Sequence, residues 1–96
     1  MIKTSKRTAV KNRKKAANYR KVCAEVDKRD QGFCVVCGVW RCKPRHHHHI
    51  VFRSKGGPDT TENICTVCER CHDDIHAHRI TVTGNANETL TIERAA

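Results

Sequence analysis

Two Cys-x-x-Cys pairs, Cys34/Cys37 and Cys68/Cys71, stand thirty residues apart and limit this fold more than any other feature. Zinc takes four ligands in a tetrahedron, and each pair supplies two thiolates from a single turn. The first pair lies in the run FCVVCG, where the closing Gly38 lets the backbone turn so that its N–H groups approach the sulfurs. A chain of 96 residues buries a modest core and commonly needs a staple. Here only Tyr19, Phe33, Trp40 and Phe52 supply aromatic bulk, so a bound metal is a natural source of folding energy.

Seven cysteines are present, at 23, 34, 37, 42, 65, 68 and 71. The count is odd, and no segment has the apolar run of a signal peptide or membrane span. A reducing cytoplasm with thiolate–zinc ligation is expected in preference to a disulfide framework. Cys65-x-x-Cys68 has the same spacing as Cys68-x-x-Cys71, so Cys65 competes formally with Cys71. The expected strand position of Cys65, against a helix start for Cys71, favours Cys71. Cys42 is a weaker rival, and Cys23 reads as a small core residue.

Net charge is +9, unevenly spread. Residues 1–30 hold 11 Lys/Arg against 3 Asp/Glu, whereas residues 31–96 hold 8 against 7. Such a basic N-terminal stretch suits nucleic acid, whose phosphates release counterions on neutralisation. Residues 1–17 have little apolar periodicity and are expected to form a basic flexible arm, with one domain over 18–96.

Tyr19, Val22, Cys23 and Val26 mark one face of a helix that Asn18 can cap and Gly32 can end. The run from His46 to Phe52 is expected as a strand, with the β-branched pair Ile50 and Val51 supporting extension. Gly56-Gly57-Pro58 marks a loop, and Asp59-Thr60-Thr61-Glu62 resembles a capping box for one short turn. Ile64–Val67 can return as a second strand, and Glu69 to about His78 has helical character. Alternation on both sides of Gly84-Asn-Ala-Asn predicts a C-terminal β-hairpin.

Four histidines, His46 to His49, open the first strand. Successive strand side chains point to opposite faces, so without a local twist or bulge His48 and His49 cannot both point at one site, and they can serve different jobs. His72 and His76 are four apart on a helix and can approach one ion. Two helix ligands and one strand ligand leave positions open for phosphate oxygens and water, the arrangement of a catalytic site rather than a structural one. An additional structural zinc or surface histidines would use the same spacing.

Residues 34–76 resemble the HNH endonuclease family in its cysteine-bearing ββα-metal form. The matching pieces are Cys34-x-x-Cys37, His48-His49-Ile50, Ser54-Lys55-Gly56-Gly57-Pro58-Asp59, Glu62-Asn63-Ile64 and Cys68-x-x-Cys71-His72-x-x-x-His76. The resemblance implies a small α+β fold. It would have a ββα-metal (His-Me finger) core over 33–78 stapled by a four-cysteine zinc site, with an N-terminal helix and the C-terminal hairpin. It makes His49 the general base and places a catalytic metal on His48 and His72, with His76 as a further ligand in the colicin-type branch. Asn63 would hold the loop that orients the base. His46 and His47 have no role in the pattern.

The implied activity is metal-dependent hydrolysis of DNA phosphodiesters, with Mg²⁺, Mn²⁺, Ni²⁺ or Zn²⁺ as the catalytic cation beside a structural Zn²⁺. Arg53, Lys55, Lys11, Arg13, Lys14 and Lys15 are candidates for backbone contacts that position the duplex without reading sequence. The motif and small size resemble phage or prophage nucleases working beside DNA-packaging or other DNA-processing proteins, in a bacterial or phage-infected cytoplasm and not at a membrane. The alternative is a zinc-stabilised nucleic-acid-binding module without catalysis. Such a module needs the cysteines and the basic arm but none of His48, His49, Asn63 or His72.

Overall fold

The computed structural model describes residues Lys6–Trp40 and Arg45–Ala95, with side chains from Lys14 onward. Cys42 and the side chains of Lys11 and Arg13 therefore lie outside the described residues. The element order is α1 (Lys6–Asp30), β1 (Arg45–His49), a 3-10 turn (Arg53–Lys55), β2 (Ile64–Cys68), α2 (Glu69–His76), β3 (Ile80–Gly84) and β4 (Leu90–Arg94). This is a small α+β fold with two antiparallel two-stranded sheets, β1–β2 and β3–β4.

β2 is the structural axis, since all five of its residues are buried. It pairs with β1 so that Arg45 faces Cys68, His48 faces Cys65 and His49 faces Ile64. α1 packs on β2 through Val22 and Val26, which join Ile64 in one apolar cluster with Tyr19 against it. Val26 is fully buried, worth about 1.5–3 kcal/mol of transfer free energy. Polar staples then lock α1 in place. Arg29 donates to the carbonyls of Thr61 and Ile64, both at 2.7 Å, while the Asp30 carboxylate accepts the Thr66 N–H at 2.9 Å. A larger cluster combines Cys34, Cys65, Cys68 and Cys71 with Val67, Ile75, Ile80 and Val82, so sulfur atoms sit inside the core. The hairpin is tied down by Ala86 N–H to Glu62 O at 2.8 Å and Ala95 N–H to Arg79 O at 2.9 Å.

The structure corrects several expected boundaries. α1 starts at Lys6 rather than Asn18, so residues 6–17, expected as a flexible arm, are helical. Apolar periodicity is weak there, but Lys, Arg and Ala are strong helix formers and neither Gly nor Pro interrupts them. β1 ends at His49, not Phe52. Ile50 N–H still bonds Asn63 O at 2.8 Å, but the Asn63 side chain then captures both backbone groups of Val51 and turns the chain away. Local hydrogen bonding by an amide outcompetes the extension favoured by two β-branched residues. α2 ends at His76, two residues early. Residues 59–62 form bends and turns rather than a capped helical turn, because the Asp59 carboxylate is engaged elsewhere.

The loop after β1 is folded tightly on itself. Lys55 N–H and Gly57 N–H both bond Phe52 O, at 2.9 and 3.0 Å. A β-carbon on Gly57 would fall onto the carbonyl oxygen of Val51, with Phe52 O only 2.9 Å away. Both obstacles are backbone, so neither can swing aside. Gly57→Ala is therefore expected to cost about 1–3 kcal/mol, read as a lower midpoint in urea denaturation with an unchanged slope.

Candidate metal centres and catalytic cleft

Four sulfurs converge at one end of the β1–β2 sheet. The Sγ atoms of Cys34, Cys37, Cys68 and Cys71 lie within 4.8 Å of one another. A zinc tetrahedron with bonds near 2.3 Å has edges of about 3.8 Å, so these donors need little adjustment to close on an ion. The Cys37–Cys68 edge is already 4.0 Å. Both pairs make the same knuckle contact. Cys37 N–H points at Cys34 Sγ and Cys71 N–H at Cys68 Sγ, each at 3.5 Å. Cys68 ends β2 and caps α2, so a strand end and a helix start together set the second pair.

Cys65 takes no part in this cluster. It lies three residues before Cys68 on the same strand, and the pleat turns odd-numbered separations to opposite faces. Burial pushes its thiol up to about 12, with the nearby Asp30 carboxylate adding to the effect. Cys65 is thus a protonated core residue. Cys23 is half-buried on α1.

The pleat of β1 also sorts the histidines. His48 is buried and meets His72 and His76 from α2, and one ring nitrogen from each lies within 4.8 Å of the others. Burial, reinforced by His72 and His76, lowers the His48 pKa to about 4. Burial and His76 also lower that of His72. His48 and His72 are therefore neutral near pH 7 and keep the lone pairs that bind a cation. An open three-imidazole set of this kind suits a divalent transition metal with positions left for other ligands. His46, on the same face as His48, stacks on His72 with centroids 4.4 Å apart and 12° between planes.

His49 points to the other face. Its Nε2 lies 2.7 Å from Asp59 Oδ1, and Arg53 Nε approaches both atoms at 3.3 Å. A single ring nitrogen cannot accept from Arg53 while donating to Asp59. The shorter contact to a carboxylate identifies Nε2–H as donor, and Arg53 then also donates to Asp59. That leaves Nδ1 with the lone pair. The hydrogen bond from His49, with Arg53 nearby, holds the Asp59 carboxyl below its ordinary range despite some burial. Arg53 lies 4.4 Å above the Tyr19 ring, and Tyr19 stacks near His49 at 6.0 Å. Asp59 and Tyr19 went unrecognised in the sequence, where Asp59 reads as a helix cap and Tyr19 as core. His47 turns toward α1 and pairs with Asp27 at 2.7 Å.

Asn63, buried beneath this loop, connects its two ends. It accepts from Val51 N–H at 2.8 Å and donates to Val51 O at 3.0 Å and Pro58 O at 3.1 Å. His48, His49, His72 and His76 all line one open cleft of about 280 Å³, together with Arg53 and Ser54. Beside it, a wider cleft of about 550 Å³ runs between α1 and the glycine loop, lined by Lys15, Tyr19, Arg53, Gly57 and Asp59. Lys14 and Lys15 are exposed on α1, and Lys55 is exposed in the 3-10 turn.

The family model for the HNH endonuclease matches residues 34–78, which span both knuckles, β1, β2 and α2. The chain belongs to the HNH endonuclease family. It is 45% identical over 29 residues to the type IV methyl-directed restriction enzyme EcoKMcrA of Escherichia coli strain K12, covering 30% of this chain and 10% of that enzyme. It is 32% identical over 63 residues to Anaredoxin of Nostoc sp. strain PCC 7120, covering 66% of this chain and 82% of that protein.

The four-sulfur cluster separates the rival cysteines by experiment. Cys71→Ser is expected to abolish zinc binding at the sulfur cluster, measured as zinc per chain by plasma mass spectrometry, and to lose most of the thermal stability. Cys65→Ala, a buried deletion outside the cluster, is expected to retain full metal content and cost about 1–2 kcal/mol.

Proposed function

We propose that this chain is a metal-dependent DNA endonuclease that hydrolyses phosphodiesters with His49 as general base. The observation that carries the reading is the single cleft lined by His49 on one side and the His48–His72–His76 set on the other. The two halves of hydrolytic chemistry, proton removal and charge stabilisation, then act on one phosphate.

The chain's own groups divide the work. Asp59 accepts a hydrogen bond from His49 Nε2–H and so presents Nδ1 as the basic nitrogen, the same logic by which a carboxylate sets the tautomer in hydrolase triads. His49 takes a proton from a water in the cleft as that water attacks phosphorus opposite the 3′ oxygen. The P–O3′ bond breaks, the departing 3′ oxygen takes a proton from solvent water, and the products are a 5′ phosphate and a 3′ hydroxyl. A divalent cation bound by His48, His72 and His76 would supply Lewis-acid stabilisation of the charge developing on the phosphate and the leaving oxygen. Asn63 holds the loop between Val51 and Pro58, keeping Asp59 opposite His49. Arg53, Lys55, Lys14 and Lys15, with Lys11 and Arg13 further along the same helix, supply positive charge for the DNA backbone. The cysteine cluster would hold a structural Zn²⁺ and take no part in the chemistry.

Plasmid incubated with purified chain and Mg²⁺, Mn²⁺, Ni²⁺ or Zn²⁺ tests the reading. His49→Ala is expected to reduce nicking by roughly 10²–10⁴-fold. Asp59→Ala is expected to lower kcat roughly tenfold or more, since it removes the acceptor that orients the base, and not to raise KM, since it leaves Arg53 free for phosphate. Full residual activity in His49→Ala removes the base assignment. A salt-sensitive gel shift with no cleavage under any cation selects a non-catalytic binding module instead.

A further inference from the structure

The first knuckle carries an aromatic face that the proposed chemistry does not use. Phe33 and Trp40 pair across the knuckle as an isolated antiparallel bridge, and Cys34 N–H bonds Val39 O at 3.1 Å. The backbone is held while the side chains stay outside. Phe33, Val39 and Trp40 are 45%, 50% and 55% exposed. Large apolar side chains clustered outside a small protein mark a contact surface.

The charge adjoining it in the sequence points to its partner. Residues 31–58 hold five Lys/Arg and no Asp/Glu, and three of the five, Arg41, Lys43 and Arg45, follow Trp40 within five positions. The nearest preceding acid, Asp30, is already held by Arg29 and the Thr66 N–H. The Arg45 guanidinium and the Trp40 indole close on the same point above Gly32. A β-carbon placed there would lie 2.6 Å from Arg45 Nη1 and 3.5 Å from Trp40 Nε1. An aromatic face beside a guanidinium can stack a base and neutralise its phosphate together. A duplex hides its base faces, whereas single-stranded DNA offers them.

We propose that the Phe33–Trp40 face with Arg45 is a second DNA contact that stacks an unpaired base, a site whose place in cleavage rests on the nuclease reading above. Arg45 opens β1 and His49 closes it, about 13 Å further along at strand rise. A DNA strand lying along β1 therefore meets this face about four base-pair steps from the cut, at 3.4 Å each. The favoured substrate is a duplex with a single-stranded flank, gap or frayed end near the scissile phosphate.

Trp40 is the chain's one tryptophan, so its emission reports on this face alone. The metal-replete chain is titrated with oligothymidylate and with a blunt duplex of equal length, without added catalytic cation. The expected result is saturable quenching by the single strand and little change with the duplex. Arg45→Ala keeps the probe and is expected to reduce the salt slope of single-strand binding by about 0.7. Trp40→Ala is expected to weaken single-strand affinity roughly tenfold or more, read by anisotropy of labelled oligonucleotide, with duplex affinity unchanged. If Trp40→Ala sheds its metal, Trp40→Phe, which keeps a ring, replaces it and should bind within about threefold of the parent chain. Emission unmoved by saturating single strand, or quenched equally by duplex, overturns the proposal. Emission reads binding and plasmid nicking reads cleavage, so the two readings fail separately. Quenching without nicking leaves this contact standing alone, and nicking without quenching removes only this contact.

Discussion

The pairing of β1 with β2 is the constraint on which the rest depends. β2 is buried along its full length, which leaves β1 no freedom to slip by one residue. A slip would exchange the two faces of β1 and move every histidine to the wrong side. In the register found, His48 faces inward toward α2 while His49 faces the loop that carries Asp59. One strand thus feeds two sites of different chemistry with adjacent residues. The same pleat sends Cys68 to the sulfur cluster and Cys65 into the core. A histidine run that looks redundant in one dimension is divided by a two-residue period into distinct parts.

How much of this was legible in the sequence follows from which interactions are local. Cysteine pairs at knuckle spacing and histidines four apart on a helix are local patterns, and the structure gathers each into a cluster of ligand atoms. The hairpin was legible for the same reason, since alternation around a Gly/Asn turn is a short-range signal. The end of β1 was not legible. Ile50 and Val51 favour extension on their own, and only the long-range capture of Val51 by Asn63 shows why the strand stops. The start of α1 failed differently. Its first half has helix-forming residues without an apolar stripe, so a search for amphipathic periodicity passes over it. Asp59 was misread because Asp-Thr-Thr-Glu is a sound capping pattern, and its carboxylate is taken by a histidine ten residues upstream.

The core explains why so small a chain can hold such a site. Its larger apolar cluster contains four cysteines among eight buried residues, and three of them, Cys34, Cys68 and Cys71, belong to the sulfur cluster. Sulfur donors placed there convert core positions into ligand positions, and a metal bound by them couples its binding free energy to folding. The cysteine cluster and the histidine set share α2, whose start carries Cys71 and His72 as neighbours. An ion held at the sulfur cluster would therefore fix the first turn of the helix that presents His72 and, one turn later, His76. The sulfur cluster and the histidine set differ in donor chemistry but are mechanically joined through that turn.

The loop from Ile50 to Asn63 is the complementary element. It contributes no ligand to either cluster, yet it sets where the carboxylate beside His49 can stand. Asn63 grips it at Val51 and Pro58, and Gly57 lets it fold onto the Val51 carbonyl where a side chain could not fit. With both ends pinned, Asp59 meets His49 without a search through loop conformations, and the entropic cost of ordering that contact falls on folding rather than on substrate binding. Arg53 belongs to the same arrangement. It bonds Asp59, lies over Tyr19 and lines both clefts. An arriving phosphate would compete with the Asp59 carboxylate for that guanidinium. Because the His49–Asp59 contact is the shorter of the two, release of Arg53 to phosphate can leave the hydrogen bond that orients His49, the proposed base, in place.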